Sequence, residues 1–247
     1  MNNTIDTHTL AKSIFLHLLP GVLVGFGYFL LAPLVKQYGF PSVMALIISG
    51  VFVLLPIELG FLLHQKKITG KKFLGGIVRY QKPLKIWQYI LWVLVIFILT
   101  GILFKAFGFA SEFLIQFFSW IPSTHMLDMG LNGVYSKTNL IITYVLFFLF
   151  IVLILPTVEE LYFRGYLLPR MPNKLKGWAI PIHSALFALY HTWTPWLIIT
   201  RTIGVLPLIY FVKRKENIYI GIIAHCLINS IDLIIGVGFI MNLCMNH

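Results

Sequence analysis

The sequence predicts an all-α membrane protein, a polytopic bundle of about seven or eight transmembrane helices. Hydrophobic residues make up 59% of the chain, whereas soluble domains contain roughly 45–50%. Charged residues make up only 11%, and long apolar runs alternate with short basic loops. A soluble core of 247 residues cannot bury that much apolar surface, so we expect a lipid bilayer to surround most of the chain.

The charge balance fits this fold class. The chain has 19 Lys and Arg against 8 Asp and Glu, which in a soluble protein would suggest nucleic-acid binding. In a membrane protein the same excess is typical of cytoplasmic loops, so we expect no nucleic-acid partner. Cys226 and Cys244 give neither a disulfide framework nor the spacing of a metal site, and we interpret both as small apolar residues.

Residues 1–139 are predicted to contain three spans, a basic loop and an interfacial segment. The three spans are residues 13–35, 41–63 and 87–107. The loop 66–85 carries seven Lys or Arg. Residues 110–120 are amphipathic and end on Trp120, which predicts a segment lying at the membrane surface.

Four further spans are predicted in the second half of the chain. They are residues 140–168, 178–193, 196–211 and 218–237. The first of them would be ~43 Å long as an α-helix, which exceeds the ~30 Å hydrocarbon core. We therefore expect it to tilt, to bend at Pro156 or to break into two helices.

The positions of the basic residues predict the orientation. Loops 64–86, 169–177 and 212–217 carry seven, three and three Lys or Arg, whereas residues 108–139 carry one. If the seven spans alternate, all three basic loops fall on the same side of the membrane. The positive-inside rule then places these loops and the N-terminus in the cytoplasm and the C-terminus outside.

One charged stretch interrupts the apolar run of residues 140–168. Glu159, Glu160 and Arg164 lie there, and charge at membrane depth is costly enough to indicate a functional site. Glu160 and Arg164 are four residues apart, with the acid first, which is the favoured order for a pair on one helix face. Glu159 points about 100° away from that face, so its partner must come from another helix.

The polar candidates for that partner lie on two later spans. His191 is inside residues 178–193, and His225 and Asn229 are one turn apart on the last span. Counting from the cytoplasmic ends of the helices, Glu159, Asn229 and His191 lie roughly 15–20 Å deep and His225 about 10 Å. We therefore predict that three helices bring these groups together at one level.

A purely structural interpretation exists for several of these residues. The Glu160–Arg164 pair could be architectural, because a matched pair is how a membrane tolerates charge. Three other intramembrane charges could likewise pair among themselves as a structural network: Glu58, Arg201 and Asp232.

Three motifs occur in a fixed order on successive predicted membrane helices. They are Glu-Glu-x-x-x-Arg from Glu159, Phe-x-x-x-His from Phe187 and His-x-x-x-Asn from His225. This arrangement is similar to the CAAX-protease and bacteriocin-processing (CPBP, or Abi) family of intramembrane proteases, over roughly residues 140–235. The resemblance implies that residues 140–247 form a catalytic transmembrane core and that residues 1–139 are additional N-terminal helices.

The resemblance also implies roles for the site residues. Glu159 would be the general base, His191 would hold and polarise the water, and His225 with Asn229 would stabilise the oxyanion. Glu160 and Arg164 would support them. The predicted catalytic residues are thus Glu159, Glu160, His191, His225 and Asn229, with Arg164 and Phe187 as supporting residues.

No cofactor is expected, although a zinc-dependent version stays open. Glu159, His191 and His225 are acceptable zinc ligands in number and kind. Neither the His-Glu-x-x-His motif of zinc proteases nor the Gly-x-Ser-x-Gly motif of serine hydrolases occurs in the sequence.

The predicted function is hydrolysis of a membrane-embedded or membrane-associated peptide or protein. The Lys- and Ile-rich usage indicates a prokaryotic cell membrane. Two other function classes remain open: a non-catalytic membrane protein of bacteriocin self-immunity, and a transporter that uses the polar cluster as a proton or ion site. Transporters often contain inverted repeats, and we find no internal repeat in this sequence.

Overall fold

The computed structural model describes residues 6–245, and their regular structure is helical apart from isolated β-bridges, so the all-α prediction is confirmed. The side chain of Cys244 lies outside the described part. The helices are α1 (Leu10–Gln37), α2 (Val43–Thr69), α3 (Ile86–Ala106), α4 (Gly108–Ile115), α5 (Lys137–Arg170), α6 (Ala179–Tyr190), α7 (Ile198–Gly204), α8 (Leu206–Lys215) and α9 (Ile218–Met245).

The number of spans is smaller than predicted. Among the described residues, five helices are long and apolar enough to cross a membrane: α1, α2, α3, α5 and α9. A sixth crossing exists if α7, with the turn before it, and α8 form one span bent by 42°. Helix α6 has 12 residues, or about 18 Å, which is shorter than the ~30 Å hydrocarbon core. Seven to eight spans are therefore not confirmed, and α5 does not break in two.

The three basic loops meet at one end of the bundle. The backbone N–H of Arg79 donates to the carbonyl of Gly165 at 2.8 Å, and that of Lys82 donates to the carbonyl of Glu216 at 2.9 Å. These bonds join the predicted loop 64–86 to the end of α5 and to the loop between α8 and α9. The prediction that the basic loops share one side is thus confirmed, whereas the assignment of that side to the cytoplasm stays a prediction.

The opposite end is covered by the segment between α4 and α5. Ser42 fixes it, because its hydroxyl donates to the carbonyl of Met126 at 2.9 Å and accepts from the N–H of Asp128 at 2.7 Å. The predicted interfacial piece forms α4 and a following 3₁₀ turn. Most of the large aromatic side chains here are exposed, namely Phe109, Phe113, Phe117 and Trp120 just after the turn, whereas Phe118 is half-buried. Such a surface suits the predicted place at the membrane interface.

Helix α1 packs closely on the helices of the predicted catalytic core. A Cβ atom on Gly21 would lie 1.9 Å from the carbonyl oxygen of Tyr190, and one on Gly25 would lie 2.0 Å from Oγ1 of Thr192. Only glycine allows this approach. The hydroxyl of Thr192 then donates to the carbonyl of Gly21 at 2.8 Å. These contacts fix the turn that follows α6, where His191 lies.

Candidate active site

A cavity of about 320 Å³ lies inside the bundle and is lined by side chains from distant parts of the chain. Six of the seven predicted site residues line it: Glu159, Arg164, Phe187, His191, His225 and Asn229. The seventh, Glu160, is outside the lining but contacts His225. The structure therefore brings the predicted residues together from α5, from the end of α6 and from α9.

Glu159 takes its partners from other helices, as its position on α5 predicted. The hydroxyl of Tyr190 donates to its Oε1 at 3.0 Å, and Nε2 of His225 lies 3.8 Å from its Oε2. The carboxylate is buried, with 7% of the residue exposed. Of the three candidates for this partner, His225 is the one that contacts Glu159, and Tyr190, which was not among the candidates, donates the hydrogen bond.

Glu160 is fully buried and joins two helices. Its Oε1 lies 3.2 Å from Nη1 of Arg164, one turn further along α5, so the predicted pair is confirmed. The same oxygen lies 3.0 Å from Nδ1 of His225 on α9. The guanidinium carbon of Arg164 in turn lies 3.8 Å from the ring centre of Phe187, where the aromatic face stabilises its charge.

These contacts indicate which ring nitrogen of each histidine carries the hydrogen. Nδ1 of His225 faces the carboxylate of Glu160 at 3.0 Å, and Nδ1 of His191 lies 2.8 Å from the carbonyl oxygen of Phe187. Both partners only accept hydrogen bonds, so Nδ1 is the donor in each ring. In the neutral rings Nε2 therefore carries a free electron pair.

Asn229 is held in place by an irregularity of α5. Residues 147–154 form a π-helical stretch in which Leu155 donates to Phe150, five residues back. The next donor in that register would be Pro156, which has no N–H. The carbonyl of Ile151 is thereby left for the side-chain amide of Asn229, which donates to it at 2.8 Å. One amide N–H of Asn229 is used in this way, and the other has no hydrogen-bond acceptor among residues 6–245.

A glycine allows α9 to approach the buried carboxylate of Glu160. A Cβ atom on Gly221 would lie 2.9 Å from Oε2 of Glu160 and 2.6 Å from Cγ2 of Val212. Gly221 is one turn before His225 on the same helix. The close approach therefore brings His225 within contact of both glutamates.

The structural alternative, in which Glu58, Arg201 and Asp232 pair among themselves, is not observed, since none of them forms an ion pair with another among residues 6–245. Glu58 is fully buried and its oxygens make no hydrogen bond of good geometry, although Tyr190 and Glu159 lie close by. Arg201 donates to Oγ1 of Thr194 at 3.2 Å. Arg201 and Asp232 line the same cavity as Glu159.

Tyr190 is the site residue that the motif analysis missed. It is fully buried, and a buried tyrosine hydroxyl usually has a hydrogen-bond partner. Its position directly before His191 in an apolar helix was the signal that could have suggested a partner among the nearby carboxylates.

The donor set does not fit a metal ion. Among residues 6–245, no group of three or more His, Cys, Asp or Glu side chains is placed so that it could hold one. Glu159, His191 and His225 line one cavity, but they do not form such a group.

The comparison with protein families agrees with this geometry. Residues 141–231 match the family model described as type II CAAX prenyl endopeptidase Rce1-like. No curated protein and no solved structure matches the chain. The matched segment includes the charged stretch of α5, the end of α6 and the polar face of α9. The resemblance drawn from the three motifs is confirmed for residues 141–231, which are similar to this family of CAAX-type membrane proteases.

Proposed function

We propose that this protein is an intramembrane endopeptidase that uses Glu159 to activate water against a peptide bond of a membrane-embedded or membrane-associated substrate. The observation that carries the proposal is the linked set of contacts in the cavity. Tyr190 holds one oxygen of Glu159, the other oxygen faces His225, and Glu160 holds His225 from behind. A base, a polarising ring and hydrogen-bond donors are thus available at one place.

Water activation is assigned to Glu159 and His191. The hydroxyl of Tyr190 occupies Oε1 of Glu159, so Oε2 is the oxygen left to accept a proton from water. Nε2 of His191, with its free electron pair, lines the same cavity and accepts the second hydrogen of that water. The oxygen of the deprotonated water bonds to the carbonyl carbon of the peptide. As the C–N bond then breaks, the carboxylic acid of Glu159 returns its proton to the leaving amine.

Stabilisation of the charge that develops on the substrate oxygen is assigned to His225 and Asn229. The unused amide N–H of Asn229 is a neutral donor, and Nε2 of His225 becomes a donor when the ring is protonated. Glu160 stabilises that protonated ring through Nδ1. Glu160, with its neighbours Arg164 and Phe187, therefore acts by holding His225 in place. Removing one oxyanion donor typically lowers the rate by about 10²–10³.

Replacement of the base tests this proposal. Glu159→Gln should abolish cleavage without loss of folded protein, so a membrane-associated peptide should accumulate uncut in cells that carry the variant. Mass spectrometry of membrane and secreted peptides measures the accumulation. Glu112→Gln, the same change at an exposed site on α4, is the matched control.

Cleavage in the Glu159→Gln cells at the parent rate would show that Glu159 is not the base. If a self-immunity or transport phenotype persisted in this variant, the function would be one of the non-catalytic alternatives.

The zinc-dependent alternative is separated by chelation. We expect the purified enzyme to keep its activity after prolonged treatment with a chelator. Asn229→Asp should lose most of the rate, because it replaces a donor with a charged acceptor at the oxyanion position. Full activity in Asn229→Asp, together with loss on chelation and rescue by zinc, would contradict the glutamate mechanism.

A further inference from the structure

A second cleft, of about 540 Å³, opens at the basic end of the bundle. It shares no lining residue with the cavity around Glu159. Its walls are the segment before α1, the end of α2, the loop 71–79 and the end of α5. Five of its lining residues are bases, namely Lys12, Lys71, Lys72, Arg79 and Arg170, against the single carboxylate of Asp6.

The positive charge of this cleft is not balanced by the protein. Among residues 6–245, the ion pairs all belong to the candidate active site, so none of the five bases is in one. Burial, with smaller contributions from Lys12 and Arg170, lowers the pKa of His8 to about 4, so His8 is neutral at pH 7. Like charges collected in one concave surface attract an anion.

The two arginines are already held in position. The guanidinium of Arg170 lies 3.9 Å from the ring centre of Tyr166 and donates to the carbonyl of that residue at 2.9 Å. Arg79 donates through Nη1 to the carbonyl of Gly75 at 2.6 Å. An arginine has five N–H donors, so each guanidinium retains donors for a ligand. Planar guanidinium groups suit the oxygens of a phosphate.

The cleft lies where three membrane-crossing helices begin or end. Helix α1 begins at Leu10, α2 ends at Thr69 and α5 ends at Arg170. Each of these helices is long enough to cross the hydrocarbon core, so their ends lie at the level of the lipid headgroups. The anions concentrated at that level are headgroup phosphates, and basic pockets between transmembrane helices are known to bind them.

We propose that this cleft binds a phosphate group, carried either by an anionic lipid headgroup or by a soluble phosphate. The proposal rests on the charge and geometry of the cleft and is independent of the peptidase activity proposed above. Binding at this place would join α1, α2 and α5 through one ligand, so it should stabilise the folded chain.

Thermal unfolding of the purified full chain in an uncharged detergent tests the proposal. Two probes are compared: inorganic phosphate against chloride at equal ionic strength, and phosphatidylglycerol against phosphatidylcholine in mixed micelles. The cleft variant carries Lys12→Gln, Lys71→Gln and Lys72→Gln. The matched control carries Lys66→Gln, Lys67→Gln and Lys174→Gln, which are equally exposed, remove the same charge and lie outside the cleft.

We expect at least one probe to raise the Tm of the parent and of the control variant by about 3 °C, and that of the cleft variant by less than about 1 °C, because a ligand stabilises the state it binds. A shift with phosphatidylglycerol alone identifies a lipid ligand, and a shift with inorganic phosphate identifies a soluble one. The proposal is overturned if neither probe raises the Tm, if the cleft variant responds like the parent, or if the control variant loses the response equally.

Discussion

At the scale of single residues, the site depends on which oxygen of Glu159 is free. The hydroxyl of Tyr190 lies 3.0 Å from Oε1, and Nε2 of His225 is 3.8 Å from Oε2. The first distance is a hydrogen bond and the second is longer than one. Tyr190 therefore fixes the rotation of the carboxylate and leaves Oε2 as the oxygen to which the proposed mechanism assigns the water.

Tyr190→Phe removes this hydrogen bond and keeps the ring. A hydrogen bond to a charged group contributes about 1.5–3 kcal/mol, so we expect kcat to fall about 10–100-fold with little change in KM. The measurement is steady-state cleavage of the accumulated peptide by the purified variant. Tyr210→Phe is the control, because that side chain is exposed and should keep full activity. An unchanged kcat in Tyr190→Phe would mean that the carboxylate is oriented by other groups.

Sequence reasoning could predict the convergence of Glu159, His191, His225 and Asn229, because helical spacing and depth depend only on residue number. It could not predict that His225 contacts both glutamates. That contact depends on the rotation of α9 and on its closeness to α5, which side-chain packing decides. The role of Tyr190 also depends on packing, since no spacing rule connects it to a residue 31 positions away.

At the scale of helices, an irregular stretch of helix and a small residue position the polar groups. The π-helical stretch of α5 and Pro156 free the carbonyl that holds Asn229. Gly221 lets α9 approach Glu160. π-helical turns of this kind frequently occur at functional sites.

Gly221→Ala tests the close approach of α9. The added methyl group would lie under 3.0 Å from Val212 and from Glu160, so α9 must shift. We expect a lower Tm and loss of activity, although alanine is otherwise the better helix former by about 1 kcal/mol.

Gly238→Ala on the same helix is the control, because in the described part of the chain no atom of another helix lies within 4 Å of the added atom. It should keep activity and gain slightly in Tm, as measured by thermal unfolding and peptide cleavage. Equal effects of the two changes would show that the approach of α9 is not critical.

Hydropathy predicted the long helices well and the region of residues 178–211 poorly. Helix α6 ends at Tyr190, and His191 has a non-helical backbone conformation with ψ of 62°. The apolar character nevertheless continues through Trp193 and Trp196. A hydropathy pattern does not register where the backbone turns, so the predicted span was longer than the helix.

At the scale of the whole molecule, the two ends of the bundle differ in charge. The end formed by the segment before α1 and the three basic loops contains most of the Lys and Arg of the loops. The other end includes residues 120–136, and this segment contains no Lys or Arg. Because the positive-inside rule counts Lys and Arg in short loops, this difference predicts that the basic end is cytoplasmic.

Cysteine labelling of intact cells tests this orientation. Both native cysteines are first replaced by alanine, and single cysteines are then introduced at Lys71 and at Asn132, which are exposed at opposite ends. An impermeant thiol reagent should label position 132 in intact cells and position 71 only after permeabilisation, which also serves as the control that both sites react. The reverse pattern would place the basic end outside the cell, and the predicted orientation would be wrong.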